Sequence, residues 1–570
     1  MTAKGRGIAD TTNFIEYLIE LALIYRDEQN KLNLTEESVK MGAMYRTEES
    51  GTWIIWKKNT LNKYCDAFKN LQNNYITQNN QENNTTFANL SLTLHQREIF
   101  QNITSFIDSK VTSVLKTTNI EDYMISLTGA AGTGKTFLTA QLVKYFKSKE
   151  SEEYNFVVTS PTHKATGVVA NMLSENKINA SCKTIHSFLG IKHFIDYETG
   201  TESFRIDKTK KNKDTTSILI VDESSMVGSE LFEYIIEAIE SGLVGFVIFV
   251  GDPYQLLPVN NSSNNVYLLK NKFELKEVVR QAKDNYIIKI ATELRKKIET
   301  KNYVPLEKFF NEYTNTKELK FFYNQDDFIK DFHKKEKWYK EDKIIATHKN
   351  SNVDAFNRIL RTKFWEQKNI FNPPALLQGD MVRFIDAYSL NDVSLYHNGQ
   401  IVELQSAILK YHESLEINFW ECKSVNSSEQ QFFRVVESKE IHKFNEKLSY
   451  IANKAKKTWD KKERKELWEV FYKVRDMFAN VQYIHASTIH KLQGSTHDVA
   501  YVDLFSLINN PYMSDDEKYR LAYVSITRAR YDVKLFMSNP TQYENIIKAD
   551  IVDAVAEFSK IDEMLDKLYL

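Results

Sequence analysis

The chain reads as an α/β protein of parallel sheets flanked by helices, and three stretches carry that reading. Residues Gly129 to Thr136 spell Gly-Ala-Ala-Gly-Thr-Gly-Lys-Thr, a complete G-x-x-x-x-G-K-[ST] loop, between an apolar run at 123–127 and an amphipathic stretch at 137–146. From Leu92 to about Asn285, apolar strand-like runs alternate with helical patterns, as in a parallel sheet covered on both faces. A second alternating region begins near Lys343 with Ile344-Ile345-Ala346 and resumes at His485 after an interruption.

The loop is a strand, a phosphate cradle and a helix in order. Its glycines let backbone N–H groups turn inward on phosphates at a helix N-terminus, a lysine reaches the β- and γ-phosphates, and a hydroxyl holds Mg²⁺. The expected nucleotide site is therefore Gly129, Ala130, Ala131, Gly132, Thr133, Gly134, Lys135, Thr136 and the adjoining helical Phe137, with Lys135 on the triphosphate and Thr136 on the metal. Within the first alternating region the expected strands are 124–128, 155–159, 217–221 and 246–250.

Upstream, residues 1–70 show helical periodicity at Phe14, Leu18, Leu21 and Leu23, then an aromatic patch at Trp53, Trp56 and Tyr64, and read as a helical extension. Residues 71–90 turn to Asn and Gln, too poor in apolar side chains to fold alone, and read as a linker. The first alternating region, 91–285, precedes a second at 286–380 and 481–550, with a domain inserted at 381–480 and a terminal helix at 551–570. The insert opens with alternating strands and turn signals from Met381 to Glu437, consistent with a small barrel. Its remainder is helical and charged, with Lys454, Lys456, Lys457, Lys461, Lys462, Arg464 and Lys465 around Trp459; a solvated helix face and a nucleic-acid contact both fit that run.

At 570 residues the chain suggests roughly three to four domains. With 75 basic against 76 acidic side chains, any nucleic-acid surface must come from local clustering. Cys65, Cys182 and Cys422 lie far apart without a C-x-x-C pair, which argues against a zinc site, a disulfide framework and an oxidising compartment. The apolar stretch Phe14 to Tyr25 is interrupted by Glu16 and Glu20, so neither a secretory leader nor a membrane span is expected, and a cytoplasmic location is.

A phosphate loop needs partners before it does chemistry. The buried-strand run Ile218-Leu219-Ile220-Val221 ends in Asp222-Glu223, placing two carboxylates at a strand tip: Asp222 for the metal, Glu223 to orient and deprotonate an attacking water. The run Phe246 to Val250 ends in Gly251-Asp252-Pro253-Tyr254-Gln255, where the Gln255 amide can sense a γ-phosphate. Arg280 and Arg528 would stabilise charge on the transferred phosphoryl group, while Arg530 reads as half of a structural ion pair.

The ordered series resembles the motifs of superfamily 1 helicases, in the 5′-to-3′ branch (superfamily 1B) that includes RecD-like and Dda-like enzymes. Ser160-Pro161-Thr162-His163-Lys164-Ala165 is similar to motif Ia, Lys183 to Ser187 to motif Ib, Thr488 to Ser495 to motif V, and Tyr523 to Arg530 to motif VI. The similarity covers roughly residues 91 to 540, with a Lys- and Trp-bearing helical segment before motif V as in the phage enzymes of this branch. It implies two RecA-like domains, an SH3-like barrel with a helical part inserted in the second, and residues 1–90 as an addition of unknown role.

The resemblance also implies roles that spacing does not give. Leu92-Thr93-Leu94-His95-Gln96 looks like the Q motif, with Gln96 reading the adenine edge; the same residues form a capping box, and both roles hold only if the Gln96 amide is shared. Pro161, Thr162, His163, Thr184 and His186, with Thr488, His490 and Lys491, would track the backbone of a single strand, and Thr347 and Asn350 in Thr347-His348-Lys349-Asn350 are weaker candidates of this kind. Residues Phe194 to Phe204 read as a hairpin around Thr199-Gly200, and in this family such a hairpin is the pin that splits duplex, with Phe194, Tyr197 or Phe204 stacking on the last base pair. The expected activity is ATP- and Mg²⁺-dependent 5′-to-3′ DNA unwinding by a monomer acting on single strands and junctions. Replication or recombination proteins would be further partners through residues 1–90, and a phage origin is consistent with the composition. A single-strand-stimulated motor that displaces bound proteins without unwinding is the alternative, and the pin is what separates the two.

Overall fold

The computed structural model describes residues 24–26, 32–34, 43–48 and 51–56 as backbone, and 92–111, 119–149, 155–207, 215–258, 264–277, 286–314, 319–390, 393–425 and 432–537. The chain divides into two compact units, 1–108 with 137–155, and 109–136 with 156–570.

In the first unit, Ile24–Arg26 pairs antiparallel with Leu32–Leu34, and Ala43–Glu48 with Gly51–Trp56. Where described, residues 1–70 are therefore strand and not the expected helix. The periodic stretch at Phe14 to Leu23, the linker at 71–90 and the terminal stretch 551–570 lie outside the described residues. The unit also holds most of the helices Leu94–Val111 and Lys135–Ser148. Asp108 ties these two together, accepting from Tyr145 Oη at 2.5 Å and Lys149 Nζ at 2.6 Å, while Phe100 meets Tyr145 edge-on at 5.7 Å.

The second unit begins with a six-stranded parallel sheet. Its strands run in the order Lys272–Leu275, Met124–Gly129, Val244–Gly251, Thr216–Val221, Phe156–Ser160, Cys182–Thr184. Four of these are the expected strands, each within two residues at either end. Buried on both faces, they carry the near-continuous Ile, Val, Leu and Phe runs of a parallel sheet. All parallel strands point their C-terminal ends the same way, so the phosphate loop, Asp222-Glu223, Asp252 and Pro161 emerge along one edge.

A second parallel sheet orders Lys320–Phe322, Ala529–Phe536, His497–Asp503, Lys343–Thr347, Ala486–Thr488. Strand alternation divides its side chains between two cores. Ile344, Ala346, Ala500 and Val502 join Leu294, Phe310, Tyr519 and Val524 on one face; Ile345 and Tyr501 join Phe328, Trp338, Phe356 and Leu360 on the other.

Between the strands Lys343–Thr347 and Ala486–Thr488 of that sheet lies the insert. Five antiparallel strands run in the order Phe433–Val436, Ile417–Ser424, Ile401–His412, Met381–Phe384, Val481–Tyr483. They close over Val382, Phe384, Tyr396, Leu404, Trp420, Cys422 and Phe433, with Phe384 and Tyr396 stacked at 4.2 Å. Burial drives the Cys422 thiol up to about 12, so it is core and not a reactive group. A buried bidentate pair, Arg361 to Asp380 at 2.9 and 2.8 Å, fixes the entry to the barrel. The helices Ile441–Lys457 and Lys461–Asp476 then form a hairpin, its second helix capped by Asp460 on the Glu463 N–H. Among the described residues no helix is long and apolar enough to cross a membrane.

Candidate functional site

The phosphate loop has the backbone its sequence demands. Gly132 and Gly134 both hold φ of +81°, the left-handed region in which a side chain is strained. At Gly129 a Cβ would lie 2.6 Å from Thr133 Oγ1 and 3.0 Å from Leu275 Cβ. Thr133 is buried and donates to Ala130 O at 2.9 Å, closing the turn. Lys135 Nζ donates to Gly129 O and Ala130 O at 2.5 and 3.0 Å, the Thr136 hydroxyl-bearing side chain is exposed, and Phe137 is half-buried.

Asp222 follows directly on the buried strand Thr216–Val221. Although part of its surface reaches solvent, its carboxylate sits deep in protein, and burial together with the charge of Glu223 raises its pKa, with Lys135 pulling the other way. Two adjacent carboxylates that the protein leaves in this state fit a divalent cation completed by water and phosphate oxygens. Glu223 itself holds φ of +51°, a strained position for a side-chain-bearing residue.

Groups from the second sheet's side reach this edge. Gly494, at φ +68°, approaches so closely that a Cβ there would lie 3.2 Å from Ala165 Cβ and 3.7 Å from Glu223 Oε1. Its neighbour Gln493 is buried with Nε2 lacking a partner among the described residues, a donor suited to an anionic ligand. The helix Asp515–Ile526 makes the most direct contacts. Tyr523 Oη accepts from the phosphate-loop Ala131 N–H at 3.0 Å and donates to Asp252 Oδ2 at 2.6 Å. Three residues earlier on the same helix face, Arg520 donates to Pro253 O and Gln255 O at 2.8 and 2.7 Å and is steadied by Asp516. Gln255 is buried, and its Oε1 accepts from Ser225 Oγ at 3.4 Å.

Arg528 is buried, and its guanidinium donates to Val524 O, Ser495 O and Leu492 O at 3.0, 3.1 and 3.4 Å. Burial lowers its pKa, and the charges of Glu223 and Asp252 act against that, so the group lies within electrostatic reach of the carboxylates while bonded within its own lobe. Arg530 makes the expected structural pair, 2.8 Å to Asp498. Arg280 lies outside the described residues. Gln96, in the first unit, forms the capping box reciprocally, with Gln96 N to Thr93 Oγ1 and Thr93 N to Gln96 Oε1 both at 3.2 Å.

The expected strand-contacting residues divide by what their polar atoms already do. Thr162, Thr184 and Thr488 cap local turns, accepting from Ala165 N, Ser187 N and Lys491 N at 3.2, 3.2 and 3.3 Å. Among the described residues no acceptor takes their hydroxyl protons. Pro161 and His186 are half-buried; His163, Asn350 and Lys491 are exposed. The His163 ring stacks on His397 of the barrel at 4.7 Å, and burial followed by the His397 charge lowers its pKa. His490 lies 6.1 Å from His348, and its pKa too is lowered by burial. Thr347 departs from expectation: it is fully buried and donates to Asp503 Oδ2 at 2.7 Å, a structural bond that leaves no surface for a strand.

The hairpin Ile191–Asp196 and Thr201–Ile206 forms around Gly200, as the Thr199-Gly200 turn predicts. Its three aromatics are not equivalent. Phe204 stands opposite His193 and Phe194 opposite Ser203, so the two phenylalanines project from opposite faces, both exposed, at 55% and 39%. Phe204 lies 6.3 Å from the His186 ring. Tyr197 is instead packed edge-on against Tyr472 at 5.9 Å, within the cluster of Trp468 and Phe471, which removes it from the candidates for base stacking. The hairpin is braced on the helix Lys461–Asp476: Tyr472 Oη donates to Gly200 O at 2.8 Å, Arg475 pairs with Glu202, and a Cβ at Gly200 would overlap the Trp468 ring.

Sequence reasoning missed Arg520, Gln493, His397 and Lys164. Lys164 is driven to about 8 by burial, then by Arg383 and Arg528, a clustering of cations from three separate segments that no local pattern announces.

Residues 111–307 match the AAA domain family. Over 462 residues, 76% of this chain and 99% of the other, the sequence is 26% identical to the ATP-dependent DNA helicase dda of Enterobacteria phage T4. It is 25% identical over 473 residues, 71% of this chain and 93% of the other, to the uncharacterized protein R530 of Acanthamoeba polyphaga mimivirus. The solved Pif1 helicase from Bacteroides in complex with ADP-AlF3 and ssDNA aligns over 80% of this chain and 97% of its own at 16% identity, with a TM-score of 0.41, too low to support a structural conclusion. The chain is a P-loop protein with an AAA-type domain, related to the superfamily 1B helicases.

Proposed function

We propose that this chain is an ATP-dependent DNA helicase that moves 5′ to 3′ along single-stranded DNA and separates duplex strands as it moves. The observation that carries the reading is the meeting of both parallel-sheet regions at one phosphate loop, with Tyr523 on the Ala131 N–H and Asp252, and Gly494 against Glu223. A nucleotide site spanned in this way makes the separation of the regions depend on the state of the γ-phosphate, which is what a stepping motor requires.

In this reading Lys135 and the loop N–H groups bind the phosphates, and Gln96 takes the adenine-reading role that the family resemblance gives it. Asp222 and Thr136 would hold Mg²⁺, which would neutralise charge on the phosphates. Glu223 orients the attacking water and takes its proton. Arg528, released from its own carbonyls as the regions close, stabilises the charge that develops on the transferred group. His163, His186, Thr488, His490 and Lys491 hold a single strand by its phosphates, and the braced hairpin presents Phe204 or Phe194 to the junction. The direction of travel rests on family resemblance.

Two forked DNA substrates, one with a 5′ and one with a 3′ loading tail, test this with ATP and Mg²⁺. Strand separation from the 5′ tail alone is expected, and opening only from the 3′ tail overturns the direction. Single-strand-stimulated ATP turnover with neither fork opened replaces unwinding by translocation.

A further inference from the structure

We propose that the corner of the helical hairpin, residues 454–465, grips the phosphate backbone of double-stranded DNA ahead of the pin, an inference that rests on the reading of residues 191–206 as the strand-separating hairpin. Trp459 is 95% exposed there, whereas Trp468, farther along the same hairpin, is 5% exposed and packed. Among the described residues nothing covers the Trp459 indole, whose flat ring and N–H suit packing against a partner. Around it, residues 454–466 carry seven basic side chains against three acidic, Asp460, Glu463 and Glu466. Among the described residues Lys454, Lys456, Lys457, Lys461 and Lys462 are exposed and make no ion pair, so their charge is available outward. A polyanion with an apolar sugar edge matches that surface: duplex DNA carries one charge per about 1.7 Å of axis.

Position selects the duplex over the single strand. Contacts between the pin and the helix Lys461–Asp476 advance together along both elements: Glu202 within a strand meets Arg475, and Gly200 at the turn meets Tyr472 and Trp468. Following the helix toward its N-terminus is thus the same as following the pin outward to its turn. Beyond Trp468 the helix continues to Lys461, which at 1.5 Å per residue carries the corner roughly 10 Å past the pin. If the turn parts two strands, the corner overhangs base pairs not yet opened. The brace fixes this offset, because the pin and the corner are held by one rigid helix.

The test compares binding of the full chain, without nucleotide, to a 5′-tailed duplex and to the single-stranded tail alone. The variants are Lys457→Ala with Lys461→Ala and Lys462→Ala, and separately Trp459→Ala; all four side chains are exposed, and an unchanged melting temperature verifies the fold. Wild type is expected to bind the tailed duplex more tightly than the tail. The triple variant should lose about fivefold or more of that advantage and lower the log–log salt slope by about two to three, with tail affinity and tail-stimulated ATP turnover within about twofold. An unchanged advantage, an equal loss on both DNAs, or no advantage in wild type overturns the proposal. Because binding is read without turnover, the outcome stands apart from the helicase reading: a chain that grips the duplex through this corner but opens no fork refutes unwinding alone.

Discussion

Two strand-tip aspartates show how the parallel sheets differ. Asp222 follows the strand Thr216–Val221 of the first sheet, and Asp503 ends the strand His497–Asp503 of the second. Burial raises the pKa of both. Asp503 is then satisfied by the protein itself, accepting from Thr347 Oγ1 at 2.7 Å, Asn352 Nδ2 at 3.1 Å and Ser506 N at 3.2 Å. Asp222 instead faces a second carboxylate, Glu223, across from Lys135. A buried carboxylate with internal donors is architecture; one paired with a like charge beside a phosphate loop suits the proposed external cation. Similar scaffolds thus differ in whether the strand-tip carboxylate is satisfied within its own sheet. The second reaches the phosphate-loop edge through side chains of its helix Asp515–Ile526 and through the turn at Gly494.

The sharpest test of that contrast is Glu223→Gln, expected to lower ATP turnover by about 10²-fold or more while nucleotide affinity is kept, since it removes only the base. Lys135→Ala should abolish turnover to a similar extent and spare single-strand binding, measured by anisotropy; substantial residual turnover in either variant would dissolve the assignment of the first sheet. On the other side, Thr347→Val should lower stability by about 1–3 kcal/mol, because the buried Asp503 loses a donor. A denaturant melt reads this effect, and DNA affinity should be unchanged; weakened DNA binding without destabilisation would restore Thr347 as a strand contact. Smallest is Tyr523→Phe, which keeps the ring and removes both hydroxyl bonds. It should cost about 1–2 kcal/mol of stability or coupling, seen as a several-fold fall in DNA-stimulated turnover with little change in basal turnover. Equal loss of both would make Tyr523 part of the first sheet's chemistry and not a link to the second.

The phosphate loop, the carboxylate pair and the parallel strands were legible because each is local. Glycines at fixed offsets, an acidic pair after four apolar residues and runs of Ile and Val announce backbone shape without knowledge of neighbours. The hairpin at 191–206 was legible for the same reason, from Thr199-Gly200. What its aromatics do was not. Tyr197 and Phe204 look alike in sequence, yet one is packed on Tyr472 and the other exposed, a distinction made by a helix more than 260 positions away. Thr347 followed a strand as Thr162 and Thr184 do, and only Asp503, more than 150 residues on, withdraws its hydroxyl. In residues 1–70, Trp53 and Trp56 fall in a strand, a preference that aromatic residues carry and that the expected helix overlooked.

The sequence by itself determined the nucleotide edge, because phosphate binding is built from consecutive backbone groups whose conformation the glycines dictate. Tertiary structure decided which distant groups meet that edge: Arg520 and Tyr523 on the loops of the first sheet, Gly494 against Glu223, and Trp468 beneath Gly200. Such contacts depend on packing between segments far apart in the chain, where a side chain's partner is set by the geometry of whole elements and leaves no periodic trace in its own neighbourhood.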